Sequence, residues 1–231
     1  MTTRPSAEAV HVWRFDLDRE DAHPELLSPD EHARKSRFHF ERDARRWAAG
    51  RSLLRRTLGG YLGAEPNALL LDTGPWGKPC LRDSPLRFNV AHSGSVCLMA
   101  FAWNQEVGID VECRRRDFVP EDLAAQVLSL KEQDALCLAA PAERHDLFLS
   151  LWTAKEASVK VLGVGLSFPL PLLTLSLVPS SDRYEAEDLT LTGALTGVSV
   201  CRLPFLPGFA ASLAAAGAIA DIQYFDHFYA P

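Results

Sequence analysis

Gly108-Ile109-Asp110-Val111-Glu112 alternates apolar and acidic side chains in the way a strand does. Alternate side chains of a strand share a face. Ile109 and Val111 therefore point toward a core, and Asp110 and Glu112 point away from it, roughly 7 Å apart. Two neighbouring carboxylates repel each other, and a cation relieves that repulsion. Oxygen-only donors suit Mg²⁺, which takes one or two carboxylates together with phosphates and waters, and Mn²⁺ accepts the same donors. On the pattern alone, an ordinary exposed polar face is the simpler reading.

Upstream of this strand, taken as Val107–Cys113, lies a second apolar run, Val96–Trp103. Asn104-Gln105-Glu106 between them reads as a hairpin connection. Leu86–Ala91 is a third strand, and it runs into His92-Ser93-Gly94, a turn whose imidazole and amides suit a phosphate. A nucleophilic Ser93 is the rival reading, but GxSxG is absent. Gly74–Pro79 is a turn carrying Lys78, with no Walker pattern around it. Asp43–Leu62 reads as a helix with Leu54, Leu58, Tyr61 and Leu62 on its buried stripe, and Ser28-Pro29-Asp30-Glu31 as an earlier helix start. Val10–Asp16 is the first strand. From Arg34 to Arg56 the chain holds nine basic residues and two acidic ones. Such a segment solvates a helix or holds a polyanion.

Downstream, Pro120–Ser129, Lys131–Ala139 and Ala142–Leu162 read as helices, the last stopped by Gly163. On it Trp152, Glu156 and Lys160 are four apart and share a face. A surface ion pair is the plain reading of that triplet. Leu172–Val178, Thr190–Thr192, Gly197–Arg202, Phe209–Ala215 and Ala218–Phe225 read as strands. The segments CLMAFAWNQEVGIDVE and FAASLAAAGAIADIQYF share one shape: a small-residue strand, a short turn and a second strand. The expectation is an α+β fold of two similar subdomains, residues 1–115 and 116–231, related by a pseudo-twofold with the active site at their interface.

The whole chain has 231 residues, 24 Lys+Arg against 30 Asp+Glu, and 47% hydrophobic residues, enough for a substantial core. A net charge of −6 argues against coating nucleic acid by overall charge. The five cysteines are scattered with no CxxC pair, which suggests neither a disulfide framework nor a zinc site and fits a reducing, cytoplasmic location. The N-terminus lacks the shape of a signal peptide, and the most apolar run, Phe209–Ala220, is too short to span a bilayer, so no membrane partner is expected.

In order, GKPCL (77–81), FNVAHSG (88–94), GIDVE (108–112) and LWTAKEASVKVLGVGLSFP (151–169) resemble the larger, pseudo-dimeric, Sfp-type class of 4′-phosphopantetheinyl transferases. The resemblance implies transfer of the phosphopantetheine arm of coenzyme A to a serine of an apo acyl or peptidyl carrier protein, releasing adenosine 3′,5′-bisphosphate. It implies that Asp110, Glu112 and Glu156 bind Mg²⁺ and that Lys160 lies near the reacting phosphate. Glu156, or a metal-bound water beside it, is then the candidate base. His92 and Lys78 match contacts to coenzyme A phosphates. Arg46, with Arg34 and Arg51, matches the site of the adenosine 3′-phosphate. Glu132 matches an acid opening the helical region of the second half. Ala91 stands where the family often has serine, Glu31 where a lysine sometimes sits, and Val164 where a lysine is common. Acidic carriers would need a local patch, for which Arg114-Arg115-Arg116 with Phe118 and Val119 is the candidate. A monomer with one shared cleft is expected. The competing readings are a non-catalytic nucleotide- or carrier-binding module, which Ala91 permits, and a Mg²⁺-dependent nucleotide phosphohydrolase.

Overall fold

Ser28 caps the first helix as its sequence suggests. Its side chain accepts the Glu31 N–H, and the Glu31 carboxylate accepts the Ser28 N–H at 2.8 Å, a reciprocal capping box. The computed structural model describes residues 4–114, 118–163, 168–178, 181–186, 197–204 and 206–226. In chain order its elements are β1 (Ala9–Asp16), α1 (Pro29–Lys35), α2 (Glu41–Leu62), β2 (Leu71–Thr73), β3 (Pro79–Leu81), β4 (Leu86–Ser93), β5 (Val96–Trp103), β6 (Val107–Cys113), α3 (Pro120–Val127), α4 (Leu130–Leu138), α5 (Pro141–Leu162), β7 (Leu175–Leu177), β8 (Arg183–Ala186), β9 (Val198–Arg202), β10 (Phe209–Ala216) and β11 (Asp221–Asp226).

Two sheets form the centre, one ordered β11-β1-β5-β4 and the other β6-β10-β9-β8-β7. Val10, Val12, Leu98 and Ala100 of the first face Ile109, Val111, Ala211 and Leu213 of the second across one apolar core. A second core lies between the first sheet and α2, around Leu54, Leu58, Phe88 and Phe101. A third lies between the second sheet and α3–α5, around Phe148, Ala154, Ala157 and Ala214. The mixed α+β architecture of two sheet–helix units is the expected one.

Three details differ from the sequence reading. β5 and β6 are not a hairpin. β5 lies between β1 and β4, while β6 pairs antiparallel with β10 in the other sheet. The link Asn104-Gln105-Glu106 crosses between sheets, turning at Asn104 in the left-handed region (φ 58°). Its counterpart after β10 does the reverse, sending β11 to lie parallel to β1. The two links touch: the Gln105 side chain donates to the Ala218 carbonyl at 2.7 Å, and the Ala216 N–H donates to Glu106 O at 2.9 Å. The shared shape of the two segments thus corresponds to two crossings between sheets. Second, Leu170–Leu172 forms a 3₁₀ turn, so the strand expected from Leu172 shortens to β7. Third, β2, β3 and β8 went unread, each being only three or four residues long. Thr190–Thr192 lies outside the described residues. The Ala-rich stretch of β10 is strand despite its helix propensity, because both faces of the strand are buried in core. Among the described residues no helix is long and apolar enough to cross a membrane.

Candidate functional site

Gly108 begins the site. A Cβ there would lie 2.0 Å from the Ala157 carbonyl oxygen and 2.9 Å from the Val161 nitrogen, so only glycine lets α5 lie this close to β6. The close packing brings Glu156 and Lys160 of α5 beside Asp110 and Glu112 of β6. Gly163 ends the helix in the left-handed conformation at φ 68°.

The Lys160 ammonium donates to Asp110 Oδ1 at 2.6 Å and to the Ile109 carbonyl at 3.1 Å. Asp110 is buried, and its Oδ2 has no hydrogen-bond partner. Burial pushes the Asp110 carboxyl above its usual range, against the pull of Lys160. Glu156 is raised too, first by burial and then by Asp110, with a smaller contribution from Glu112. The charges of Asp110 and Glu112 both reach Glu156. Glu112 accepts a hydrogen bond from the Ser93 hydroxyl at 2.9 Å. Among the described residues no three Asp, Glu, His or Cys side chains are gathered tightly enough to hold a metal ion. The acids are neighbours, with Lys160 supplying positive charge at Asp110.

A cleft of about 150 Å³ is lined by Arg34, Arg46, Arg51, Trp47 and His92. The Arg34 and Arg51 guanidiniums each sit 5.6 Å from the centroid of the Trp47 ring. Arg46 is paired with Asp18, its Nε 2.8 Å from Oδ1. Arg51 approaches Glu31 at 3.5 Å, and burial lowers its pKa. His92 joins cleft and acids. Its pKa is lowered by surrounding protein and then by the charges of Lys160 and Arg46, while Asp110 raises it. His92 remains open to solvent, and with its pKa lowered the imidazole is neutral at pH 7.

Other predicted residues stand elsewhere. Lys78 donates to Glu106 Oε2 (3.0 Å), Val107 O (3.0 Å) and Lys160 O (2.8 Å). Its three N–H donors are matched by three acceptors, and it closes the carbonyl end of α5 instead of lining the arginine cleft. Glu132 caps α4 and forms a fully buried ion pair with Lys155, whose ammonium also donates to Val127 O at 2.8 Å and Leu170 O at 3.1 Å. That acid ties the second half together and does not reach the site. Phe118 packs on His145 and Phe148, so it is no exposed anchor, while Val119 is exposed and Arg114 pairs with Asp146 at 3.5 Å. Arg115, Arg116 and Val164 lie outside the described residues.

The sequence reading missed Arg55 and Asn89. Arg55 is buried, donating to Glu31 Oε2 at 2.8 Å and to the carbonyls of Pro66 and Leu69. Glu31, read from the sequence as a helix-start acid and as a departure from the family, thus organises two arginines. Asn89 Oδ1 accepts the Ile109 N–H at 2.9 Å. An amide inside the apolar run FNVA was the available signal, since a buried polar group needs a partner.

The model of the 4′-phosphopantetheinyl transferase superfamily matches residues 106–210, and that of the 4′-phosphopantetheinyl transferase N-terminal region matches residues 12–104. The two matches abut at the crossing link. The chain is 36% identical over 182 residues to the 4′-phosphopantetheinyl transferase HetI of Nostoc sp., covering 75% of this chain and 76% of that one. It is 32% identical over 153 residues to the 4′-phosphopantetheinyl transferase Sfp of Bacillus subtilis, covering 66% and 67%.

Proposed function

This chain belongs to the Sfp-type 4′-phosphopantetheinyl transferases, and from that premise we propose how its own residues carry out the transfer from coenzyme A to a serine of an apo carrier protein. The observation that carries the proposal is the close approach of α5 to β6 at Gly108, which sets Lys160 on Asp110 at 2.6 Å, while His92 lines a cleft with Arg34, Arg46 and Arg51. Anion-binding groups and acid–base groups therefore meet at one place.

Arg34, Arg46 and Arg51 bind the anionic groups of coenzyme A, Arg46 toward the adenosine 3′-phosphate. His92, neutral and accessible, donates a ring N–H to the pyrophosphate. Asp110, Glu112 and Glu156 would hold a divalent cation. Their donors are all oxygen, they repel one another, and Asp110 Oδ2 is buried without a partner. Such an ion, Mg²⁺ by donor type, offsets pyrophosphate charge and polarises the phosphorus when bound.

The carrier serine oxygen attacks the phosphorus bearing pantetheine, and the bond from that phosphorus to the bridging oxygen breaks. Adenosine 3′,5′-bisphosphate leaves with the electron pair. Glu156, or a water beside it, takes the serine proton. Lys160 uses two N–H groups on Asp110 and Ile109 and directs the third to the leaving phosphate oxygen. The protein is read as a cytoplasmic monomer, with both halves contributing to one cleft.

Incubation with coenzyme A, Mg²⁺ and a panel of apo carriers tests this reading by mass. A carrier heavier by one phosphopantetheine supports transfer. Free phosphopantetheine would mean hydrolysis, and neither product would mean a binding module.

A further inference from the structure

β4 and β6 run side by side in the same direction, yet among the described residues no backbone ladder joins them: β4 pairs with β5 and β6 with β10. Two side chains of β4 take the place of ladder carbonyls. Asn89 Oδ1 accepts the N–H of Ile109 at 2.9 Å, and Ser93 Oγ accepts the N–H of Cys113 at 3.0 Å. Both bonds span the same offset of 20 residues. The strands are thus held in one register at two points, one on either side of Asp110 and Glu112.

Ser93 does more than Asn89. A hydroxyl has one hydrogen and two lone pairs. The Cys113 N–H can only donate, so it takes a lone pair, and the hydroxyl hydrogen goes to Glu112 Oε2 at 2.9 Å. Glu112 needs such a restraint. It is partly exposed, has a long side chain, and its charge is felt by Glu156 across the site. The hydrogen bond from Ser93 opposes the repulsion from the other acids, which favours turning that carboxylate toward solvent.

We infer that Ser93 is a positioning residue of the acidic site: its hydroxyl, fixed by the Cys113 N–H, restrains the Glu112 carboxylate on the strand that carries Asp110, from where it would close with Asp110 and Glu156 on a divalent cation. This rests on the proposed metal role of those acids. It also assigns the serine of the His-Ser-Gly turn. With its proton directed to Glu112, Ser93 is neither a nucleophile nor a phosphate donor.

Binding of Mn²⁺ alone, without coenzyme A, followed through the electron paramagnetic resonance signal of the free ion, tests the assignment. Ser93→Ala should weaken Mn²⁺ binding by about tenfold, the usual cost of losing a group that orients a ligand. Ser93→Thr, which keeps the hydroxyl, should bind like wild type. In a Glu112→Ala background, Ser93→Ala should cost nothing further, because its effect passes through that carboxylate. In transfer assays Ser93→Ala should raise the metal concentration for half-maximal rate while leaving KM for coenzyme A within about twofold. Unchanged Mn²⁺ affinity in Ser93→Ala, or an equal loss with and without Glu112, would overturn the inference, as would a raised KM for coenzyme A at saturating metal. A wild-type protein that transfers phosphopantetheine but binds no Mn²⁺ would sink the metal role itself, and the inference with it.

Discussion

Gly108 and Ala157 meet where no side chain fits, since a Cβ on the glycine would lie 2.0 Å from the alanine carbonyl oxygen. That contact sets the distance between β6 and α5, and hence between the acids of the strand and Glu156. Gly108→Ala should therefore lower stability by about 3 kcal/mol, the upper range for forced overpacking. It should also lose transfer activity in whatever fraction stays folded. Urea denaturation and carrier mass read the two effects. A midpoint equal to wild type would show that the helix can lift at no cost, and that the glycine is incidental.

The two lysines of α5, five residues apart, should fail in opposite ways. Lys155 is fully buried with Glu132 and two carbonyls. Lys155→Met strands a buried carboxylate and should cost about 3–5 kcal/mol. Lys160 is partly open to solvent beside Asp110. Lys160→Met should keep the fold and reduce transfer at least about 100-fold, the scale for a group acting on the leaving oxygen. If Lys155→Met proved stable and inactive while Lys160→Met unfolded, the assignments would have to be exchanged.

The alternation of GIDVE was legible because a strand with one apolar and one acidic face leaves little choice of orientation, and WTAKEASVK was legible because helical spacing gathers Glu156 and Lys160. The chain hides which side of α5 each lysine occupies. TAKEA looks the same whether Lys155 meets solvent or Glu132, a residue 23 positions away and joined only by the fold. Strand partners were hidden likewise. Asn104-Gln105-Glu106 has the length and composition of a hairpin turn, and only the second crossing at Gly217–Ala220 reveals that both segments change sheets. The arginine cleft was half visible. A basic segment can be counted, but the role of Glu31 depends on α1 packing against α2.

Removing the central acid separates chemistry from folding. Asp110 is buried with one oxygen unpartnered, and burial opposes its charge, so the fold gains little from it. Asp110→Ala should retain cooperative unfolding, because the freed Lys160 ammonium can reach water. Transfer should fall by about 1000-fold, several kcal/mol of lost transition-state stabilisation. Near-normal modification of a carrier by a folded Asp110→Ala protein would take Asp110 out of the site.

Arg46 allows a test by co-substrate. Its ion pair with Asp18 is only partly buried, so its removal should cost stability about 1 kcal/mol or less. Arg46→Ala should raise KM for coenzyme A about tenfold, one charge-assisted contact, with kcat little affected. With dephospho-coenzyme A, which lacks the 3′-phosphate, the same substitution should matter much less. Equal losses with both co-substrates would place Arg46 on the pyrophosphate instead.

Far from the cleft, His11 should give the fold an acid-side sensitivity of its own. Trp13 Nε1 donates to the Tyr61 oxygen at 2.8 Å, so the Tyr61 hydroxyl hydrogen points to His11 Nδ1, also 2.8 Å away. An imidazole accepting that bond is neutral at Nδ1, and burial lowers its pKa below the ordinary imidazole value of about 6.5, against a weaker opposite pull from Asp221. Above about pH 6.5 neither the folded nor the unfolded chain protonates this ring, and it has no effect on the pH dependence. As pH falls below that value the unfolded chain takes up a proton that the folded protein refuses, so stability declines until the pH passes the lowered folded-state pKa. The urea midpoint of the wild type should therefore drop further between pH 7.5 and 5.5 than that of His11→Asn, which is less stable but has nothing to titrate at this position. Parallel declines in the two proteins would show that acid sensitivity arises elsewhere and that the Trp13–Tyr61–His11 chain tolerates the charge.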